Sequence, residues 1–240
     1  MMTRNRVLRR LAACTLIAAA VPARAQTPNQ PKVAPGPNEP DWAVVLRDRY
    51  GLSMFDDLLN PVVTEAAATP GLFRKAGDGP VVYRPAIALG LETRNRGGWY
   101  RPVDASSPKK LQTWSYTFKN TTKDLETGQN LPPMLEEGSV VEFDPGVAPF
   151  GLWVSNDGLD DGGVFTEPSL VARVNKRLAG QPYKAMIYPN RDRKTGELVP
   201  NSYLIGWEYS TNDDFQDVVC QVDNVVLVSP ETKKAADRSR

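Results

Sequence analysis

Thr113-Trp114-Ser115-Tyr116-Thr117-Phe118-Lys119 is the stretch that decides the fold class. Trp114, Tyr116 and Phe118 fall on one side of an extended chain, and Thr113, Ser115, Thr117 and Lys119 on the other. Strict alternation of this kind is the mark of a strand with one buried face, because successive side chains of a strand point to opposite faces. Working outward, residues 81–83, 86–91, 140–143, 150–154, 185–188, 203–209 and 218–228 give further strand-like runs. Pro80, Pro85 and Gly90 punctuate the first of them. One segment breaks the pattern. Residues 167–178 place Leu170, Val171, Val174 and Leu178 on one helical face, with Thr166 to cap the helix, Pro168 in its first turn and Gly180 to end it. Residues 42–50 and 53–60 read as two more short helices, separated by Gly51, with Asp41 and Ser53 as caps. Many short strands, Pro- and Gly-rich turns and few helices predict a mostly β chain. The expected fold is a β-sandwich of jelly-roll type with one or two short helices.

The start of the chain reads as an export signal. Arg4, Arg6, Arg9 and Arg10 precede an apolar stretch over residues 11–21, and Ala23-Arg24-Ala25 supplies a small-x-small cleavage pattern. The expected organisation is a signal peptide over 1–25, a flexible Pro- and Asn-rich linker over 26–41, one β-sandwich domain over 42–229 and a polar, disordered tail over 230–240. The apolar stretch is shorter than the roughly 20 residues a spanning helix needs, so no transmembrane segment is expected in the processed chain. The predicted location is the periplasm, cell envelope or extracellular space. Arg9-Arg10 leaves both general and twin-arginine export open.

Of the 29 basic residues, five leave with residues 1–25, which carry no acid. The remaining 24 basic residues face 28 acidic ones, a net charge of −4. That balance argues against nucleic acid as a partner, because such proteins carry basic surfaces. The chain has no histidine, which excludes Ser-His-Asp and Cys-His catalysis and histidine-ligated zinc. Cys14 lies in the signal, so Cys220 has no intramolecular partner. In step with Val218 and Val222, it reads as a buried thiol.

Two acidic, turn-rich segments adjoin strand-like runs. The first is Asn156-Asp157-Gly158-Leu159-Asp160-Asp161-Gly162-Gly163. The second is Thr211-Asn212-Asp213-Asp214-Phe215-Gln216-Asp217. Crowded carboxylates repel one another, and a bound cation removes that penalty. Oxygen donors alone suit a hard cation such as Ca²⁺. Asp213, Asp214 and Asp217 are the first candidate ligands, with Glu208 at the end of the preceding strand and Asp157, Asp160 and Asp161 from the other loop. The first loop is no EF-hand, because its Asp spacing differs and no Glu closes it. Solvated turns and hydrogen-bonded structural carboxylates are the alternative reading of both segments.

The run Pro200-Asn201-Ser202-Tyr203-Leu204-Ile205-Gly206-Trp207-Glu208-Tyr209, followed by Asn212-Asp213-Asp214-Phe215-Gln216-Asp217-Val218-Val219, resembles the closing motif of a family of β-sandwich modules. These uncharacterised modules occur in exported bacterial proteins, often as the last domain of larger ones. The likeness extends over residues 150–228. The resemblance implies a calcium-type site carried on Glu208, Asp213, Asp214 and Asp217. Thr211-Asn212 departs from the Gly-rich approach common in that pattern. Residues 90–118 also look like planctomycete exported proteins of unassigned function.

Aromatic residues suggest a contact surface. Trp99 and Tyr100 follow Arg96-Gly97-Gly98, which reads as a loop, and exposed rings there would stack on sugars. Trp153 and Trp207 lie inside strand patterns and read as core. The sequence therefore predicts an exported, non-catalytic module with an Asp-lined Ca²⁺ site, binding a glycan, an envelope polymer or a surface partner. A structural envelope protein without a small ligand is the first alternative. The second is a glycoside hydrolase using two of Glu136, Glu137, Glu142, Glu167 and Glu208, whose carboxyls would have to stand about 5–10 Å apart.

Overall fold

A computed structural model describes residues 71–102, 108–117, 125, 131–159, 162–192, 195–211 and 215–228. The expected signal, linker, two N-terminal helices and tail lie outside the described residues, as do Phe118, Asp160, Asp161, Asp213 and Asp214.

Among the described residues, eleven strands form in the order β1 (Phe73–Lys75), β2 (Val81–Ala88), β3 (Arg94–Tyr100), β4 (Lys110–Thr117), β5 (Glu142–Phe143), β6 (Gly151–Asn156), β7 (Val164–Phe165), β8 (Ala185–Arg191), β9 (Leu198–Trp207), β10 (Val218–Asp223) and β11 (Val225–Leu227). A five-stranded sheet runs β5-β2-β10-β9-β8, and a four-stranded sheet runs β4-β3-β6-β7. Every pairing is antiparallel. The inner faces of both sheets contribute to one hydrophobic core. Tyr83 of β2 meets Trp114 of β4 with ring centroids 5.6 Å apart. The chain is thus a mostly β sandwich, as its alternating runs predict. A small β1-β11 ribbon is tied to the start of β6 by a pair of hydrogen bonds between Phe73 and Phe150, at 2.8 and 2.9 Å.

The deciding stretch behaves as its pattern requires over its described part. Trp114 and Tyr116 are fully buried and stack at 5.8 Å. Ser115 on the opposite face is covered by residues 136–139. Its hydroxyl donates to Glu136 Oε2 at 2.6 Å, and its N–H donates to Ser139 Oγ at 3.1 Å. This covering segment satisfies the backbone of an edge strand that would otherwise invite pairing with another chain. It also corrects the expected strand over residues 140–143. Val140 donates to Thr113 O and remains exposed, and the strand paired with β2 is limited to Glu142 and Phe143, with Val141 O accepting from Tyr83 N–H at 2.8 Å.

The expected long strand over 218–228 breaks at Asn224, which has φ 62°. Its amide side chain accepts from Gly77 N–H at 3.0 Å and donates to the carbonyls of Asp78, Gly79 and Pro80. An Asn can take up the left-handed conformation and still bond locally. Similarly, the expected single helix divides. The α-helix α1 (Pro168–Val174) ends at Asn175, and a 3-10 turn (Lys176–Leu178) follows. Leu170, Val171 and Leu178 are buried, as the periodicity predicts. Glu167 stands at the N-cap instead of Thr166. The Thr166 hydroxyl is drawn to β6, accepting from Leu152 N–H at 3.0 Å. Among the described residues, no helix is long and apolar enough to cross a membrane.

Candidate functional site

Asn156 ends β6 and Trp207 ends β9, so the two acidic loops begin from different sheets. A buried polar network joins these ends. Asn156 Nδ2 donates to Asn95 Oδ1 at 2.8 Å, and the Tyr209 hydroxyl donates to the same oxygen at 3.0 Å. Asn95 Nδ2 donates to Thr93 O at 3.0 Å. Asn156 Oδ1 accepts from the Thr93 hydroxyl and from Gly158 N–H, the latter at 2.8 Å. The strand ends from which both loops begin are therefore joined at one end of the sandwich through Asn95, near the start of β3. Burial of Tyr209 pushes its phenol pKa well up, with Tyr116 and Asp217 adding in the same direction. The hydroxyl stays protonated and serves as a donor.

Glu208 is fully buried. Its Oε1 accepts from Ser210 N–H at 2.6 Å, and its Oε2 accepts from Phe215 N–H at 3.3 Å. One carboxylate thus closes the loop from both sides, and Phe215 takes a positive φ of 57° to present its N–H. A buried carboxylate is tolerated when donors surround it. Lys184, also fully buried, continues the β8-β9 register opposite Glu208, whose N–H donates to Lys184 O at 3.1 Å. Asp217 lies between the loop and β2. Its Oδ2 accepts from Tyr209 N–H at 2.6 Å, and its carbonyl accepts from Leu89 and Gly90 N–H groups. Arg177 closes the same end by donating to Tyr209 O at 2.6 Å.

The expected metal ligands are thus distributed. Glu208 and Asp217 come together at one loop. Asp157 turns to the outer face of the four-stranded sheet, where Arg96 Nη2 meets both its oxygens at 2.6 and 2.7 Å. Asp160, Asp161, Asp213 and Asp214 lie outside the described residues. Among the described residues, no group of three Asp, Glu or Cys side chains is placed to hold a metal ion. A carboxylate offers roughly four lone-pair directions, and the backbone N–H groups take at least two on Glu208 and one on Asp217. A hard cation would therefore share these oxygens with the backbone.

Trp99 and Tyr100 correct the expected exposed platform. Both belong to β3 and are buried. Trp99 stacks on Phe143 at 5.2 Å, and Tyr100 donates its hydroxyl to Glu167 Oε2 at 3.1 Å. Gly97 and Gly98, which look like a loop in sequence, are strand glycines. A Cβ at Gly97 would stand 2.0 Å from the Trp114 ring, and one at Gly98 would stand 2.0 Å from Leu111 O. The register with β4 shifts at this pair, a β-bulge that gives the large ring its room.

The outer face of the four-stranded sheet carries a cleft of about 440 Å³. Arg96, Lys110, Ser155, Asn156 and Asp157 line it, with the backbone of Gly162 and Gly163 opposite. Lys110 Nζ donates to Gly162 O at 2.8 Å and lies 4.9 Å from the centre of the Trp153 ring. Arg96 and Lys110 were not singled out by sequence reasoning. The alternation Arg94-Asn95-Arg96 was a usable signal, since it places both arginines on one strand face. Comparisons with family models, with curated proteins and with solved structures return no match to this chain.

Proposed function

We propose that this chain is an exported, non-catalytic β-sandwich module that binds a glycan or envelope polymer, with Ca²⁺ ordering the loop over residues 208–217. The observation that carries the reading is the joining of both acidic loops by Asn156, Asn95 and Tyr209 at one end of the sandwich. Loops held at one end of a rigid scaffold are the usual place for binding groups. The resemblance of residues 200–219 to the calcium-site modules supports the same reading, and residues 1–25 support export. Asp217, Asp213 and Asp214 are the proposed ligands, with Glu208 sharing its oxygens with the backbone. Two backbone N–H groups already occupy Glu208, so in this proposal the three aspartates carry the main burden of metal binding. Ca²⁺ takes about six to eight oxygens, so backbone carbonyls and water complete its shell.

Three of the five candidate glutamates already have hydrogen-bond partners, which favours binding over hydrolysis. Arg94 and Ser115 hold Glu136, the Tyr100 hydroxyl holds Glu167, and two backbone N–H groups hold Glu208. Of the residues lining the cleft, Asp157 alone is a carboxylate.

Melting with and without calcium tests the proposal. Binding to the folded state alone stabilises it by about 2.7 kcal/mol at a hundredfold excess over Kd. The melting temperature rises with calcium in the wild type and not in Asp217→Asn. Identical melting in EDTA and in millimolar calcium, with no metal in the purified protein, overturns the calcium site. These carboxylates are then structural hydrogen-bond acceptors, as an envelope component without a ligand would have.

A further inference from the structure

We infer that the outer face of the five-stranded sheet is the docking surface for residues 53–60 of this chain, laid across β2, β10, β9 and β8 as an amphipathic helix. The inference is independent of the glycan and calcium readings.

The register defines the face. Ile87 pairs with Val219, Val219 with Gly206 and Gly206 with Met186, a row across β2, β10, β9 and β8. In the neighbouring row on the same face, Leu204 pairs with Tyr188. Ala88, Val218, Trp207 and Ala185 alternate with the first row and belong to the core between the sheets. Ile87, Val219, Met186, Leu204 and Tyr188 do not belong to it. Parity therefore turns these five outward. Each is nevertheless at most 5% exposed. Lys184, one alternation before Met186, is fully buried as well. Side chains on the outside of a sheet lose contact with water only when something lies over them.

The cover belongs to this chain, since the burial is that of one copy. No described helix supplies it. The helix α1 packs on β7, and Leu170, Val171 and Leu178 enter the inner core. Residues 131–141 lie over the other sheet, where Glu136 and Val140 donate to carbonyls of β4. Outside the described residues, 103–107, 118–124 and 126–130 adjoin β4 and hold only Val103 and Phe118 as large apolar side chains. Residues 160–161, 193–194, 212–214 and 229–240 hold none. Residues 1–25 read as the export signal, which leaves 26–70. There, residues 53–60 sort cleanly. Met54, Phe55, Leu58 and Leu59 fall on one side of a helix, and Ser53, Asp56, Asp57 and Asn60 on the other. Residues 42–50 scatter Trp42, Val44, Val45 and Tyr50 around the axis and offer no comparable side.

Dimensions agree. A helix over residues 53–60 is about 12 Å long, and the three spacings from β2 to β8 come to about 14 Å. Gly206 leaves the middle of the row without a side chain, where a covering backbone can come close. Leu72 O accepts from Val228 N–H and Phe73 pairs with Leu227, so the described chain begins beside β11, just after β10. Residues 61–70 span up to about 33 Å when extended, more than the ~19 Å across the five strands. The docked segment would also lie beside fully buried Glu208, whose N–H donates to Lys184 O at 3.1 Å, and so shield the base of the loop over 208–217.

The test is photo-cross-linking of the full chain with photo-methionine in place of methionine, a change of little bulk. Met54 lies in the docking segment and Met186 on the face, and Met134, which is 63% exposed, is the control. The expected links join Met186 to residues 53–60, or Met54 to β8, β9 or β10, within one copy. Links between two copies assign the face to a second copy and overturn the inference. Any other map without a bond between this segment and this face overturns it as well.

A second measurement uses Phe55→Asp/Leu58→Asp, which destroys the apolar side of the segment. Peroxide oxidation of each methionine is read by mass spectrometry. In the wild type, Met186 should oxidise about tenfold or more slowly than Met134. In the variant its rate should rise toward that of Met134, while Cys220 in the inner core stays closed to a thiol reagent and shows that the sandwich is folded. Met186 protected as before in a folded variant overturns the docking. A variant that also exposes Cys220 has unfolded, and the wild-type cross-link map then decides.

Discussion

Replacing Asn95 with Ala tests whether the two acidic loops are held as one unit. Asn95 is 2% exposed, and its Oδ1 accepts both from Asn156 Nδ2 at 2.8 Å and from the Tyr209 hydroxyl at 3.0 Å. Asn95→Ala leaves two buried donors facing a methyl group. Each orphaned donor costs about 1–3 kcal/mol, so the variant should lose about 2–6 kcal/mol. That is a large part of the roughly 5–15 kcal/mol that holds a domain together. Tyr209→Phe alone removes one donor and leaves Asn95 bonded to Asn156, so it should cost only about 0.5–1.5 kcal/mol. In the double variant one of the orphans is gone. The two losses should therefore fall short of adding by about 1 kcal/mol or more. Urea denaturation with a constant m-value measures all three. Amide exchange at Gly158 should quicken in Asn95→Ala, because Asn156 Oδ1 holds that N–H at 2.8 Å. Losses that add within about 0.5 kcal/mol, or an unchanged Gly158 amide, would refute the network as the link between the loops.

Gly97→Ala should destabilise by at least about 1–3 kcal/mol through overpacking, since its Cβ would lie 2.0 Å from the Trp114 ring; wild-type urea stability would contradict the bulge. Burial pushes the Cys220 thiol up to about 12, so a thiol reagent at pH 8 should label it only as fast as the protein unfolds. Rapid labelling of the native chain would show that Cys220 is not in the core. The Ser115 hydroxyl, followed by Arg94, holds Glu136 below the ordinary carboxylate value of 4.5. Its contribution is therefore present above the unfolded-state pKa and fades as pH falls through the lower folded value. Glu136→Gln should flatten stability against pH below about 4.5, and an acid limb identical to wild type would rule that contact out as a source of stability.

What could be read from the sequence was what depends on neighbours in the chain. Trp114 and Tyr116 announce a buried face because a strand sorts residues by parity, whatever lies across the sheet. Leu170, Val171 and Leu178 announce a helical face for the same local reason. The length of that helix was not legible, because Asn175 leaves it to bond Gly163 O, a group supplied by the preceding loop. Trp99 and Tyr100 were misread because Gly97-Gly98 has the composition of a turn. Only the next strand, with the Trp114 ring against Gly97 and the Leu111 carbonyl against Gly98, makes those glycines necessary to a strand. The acidic loops show the same division. Their carboxylates are plain in the sequence, but the partners of Asp157, Glu208 and Asp217 are not. Arg96 lies 61 residues before Asp157, and Asn95 lies 114 residues before Tyr209. A dense run of Asp and Asn therefore marks where the chain must manage negative charge. Whether it does so with backbone N–H groups, an arginine or a cation is decided by strands distant in sequence. At Glu208 and Asp157 the fold has supplied the first two, and Asp217 has only one of its oxygens taken by a backbone N–H, which is why the calcium proposal turns on Asp217 together with Asp213 and Asp214.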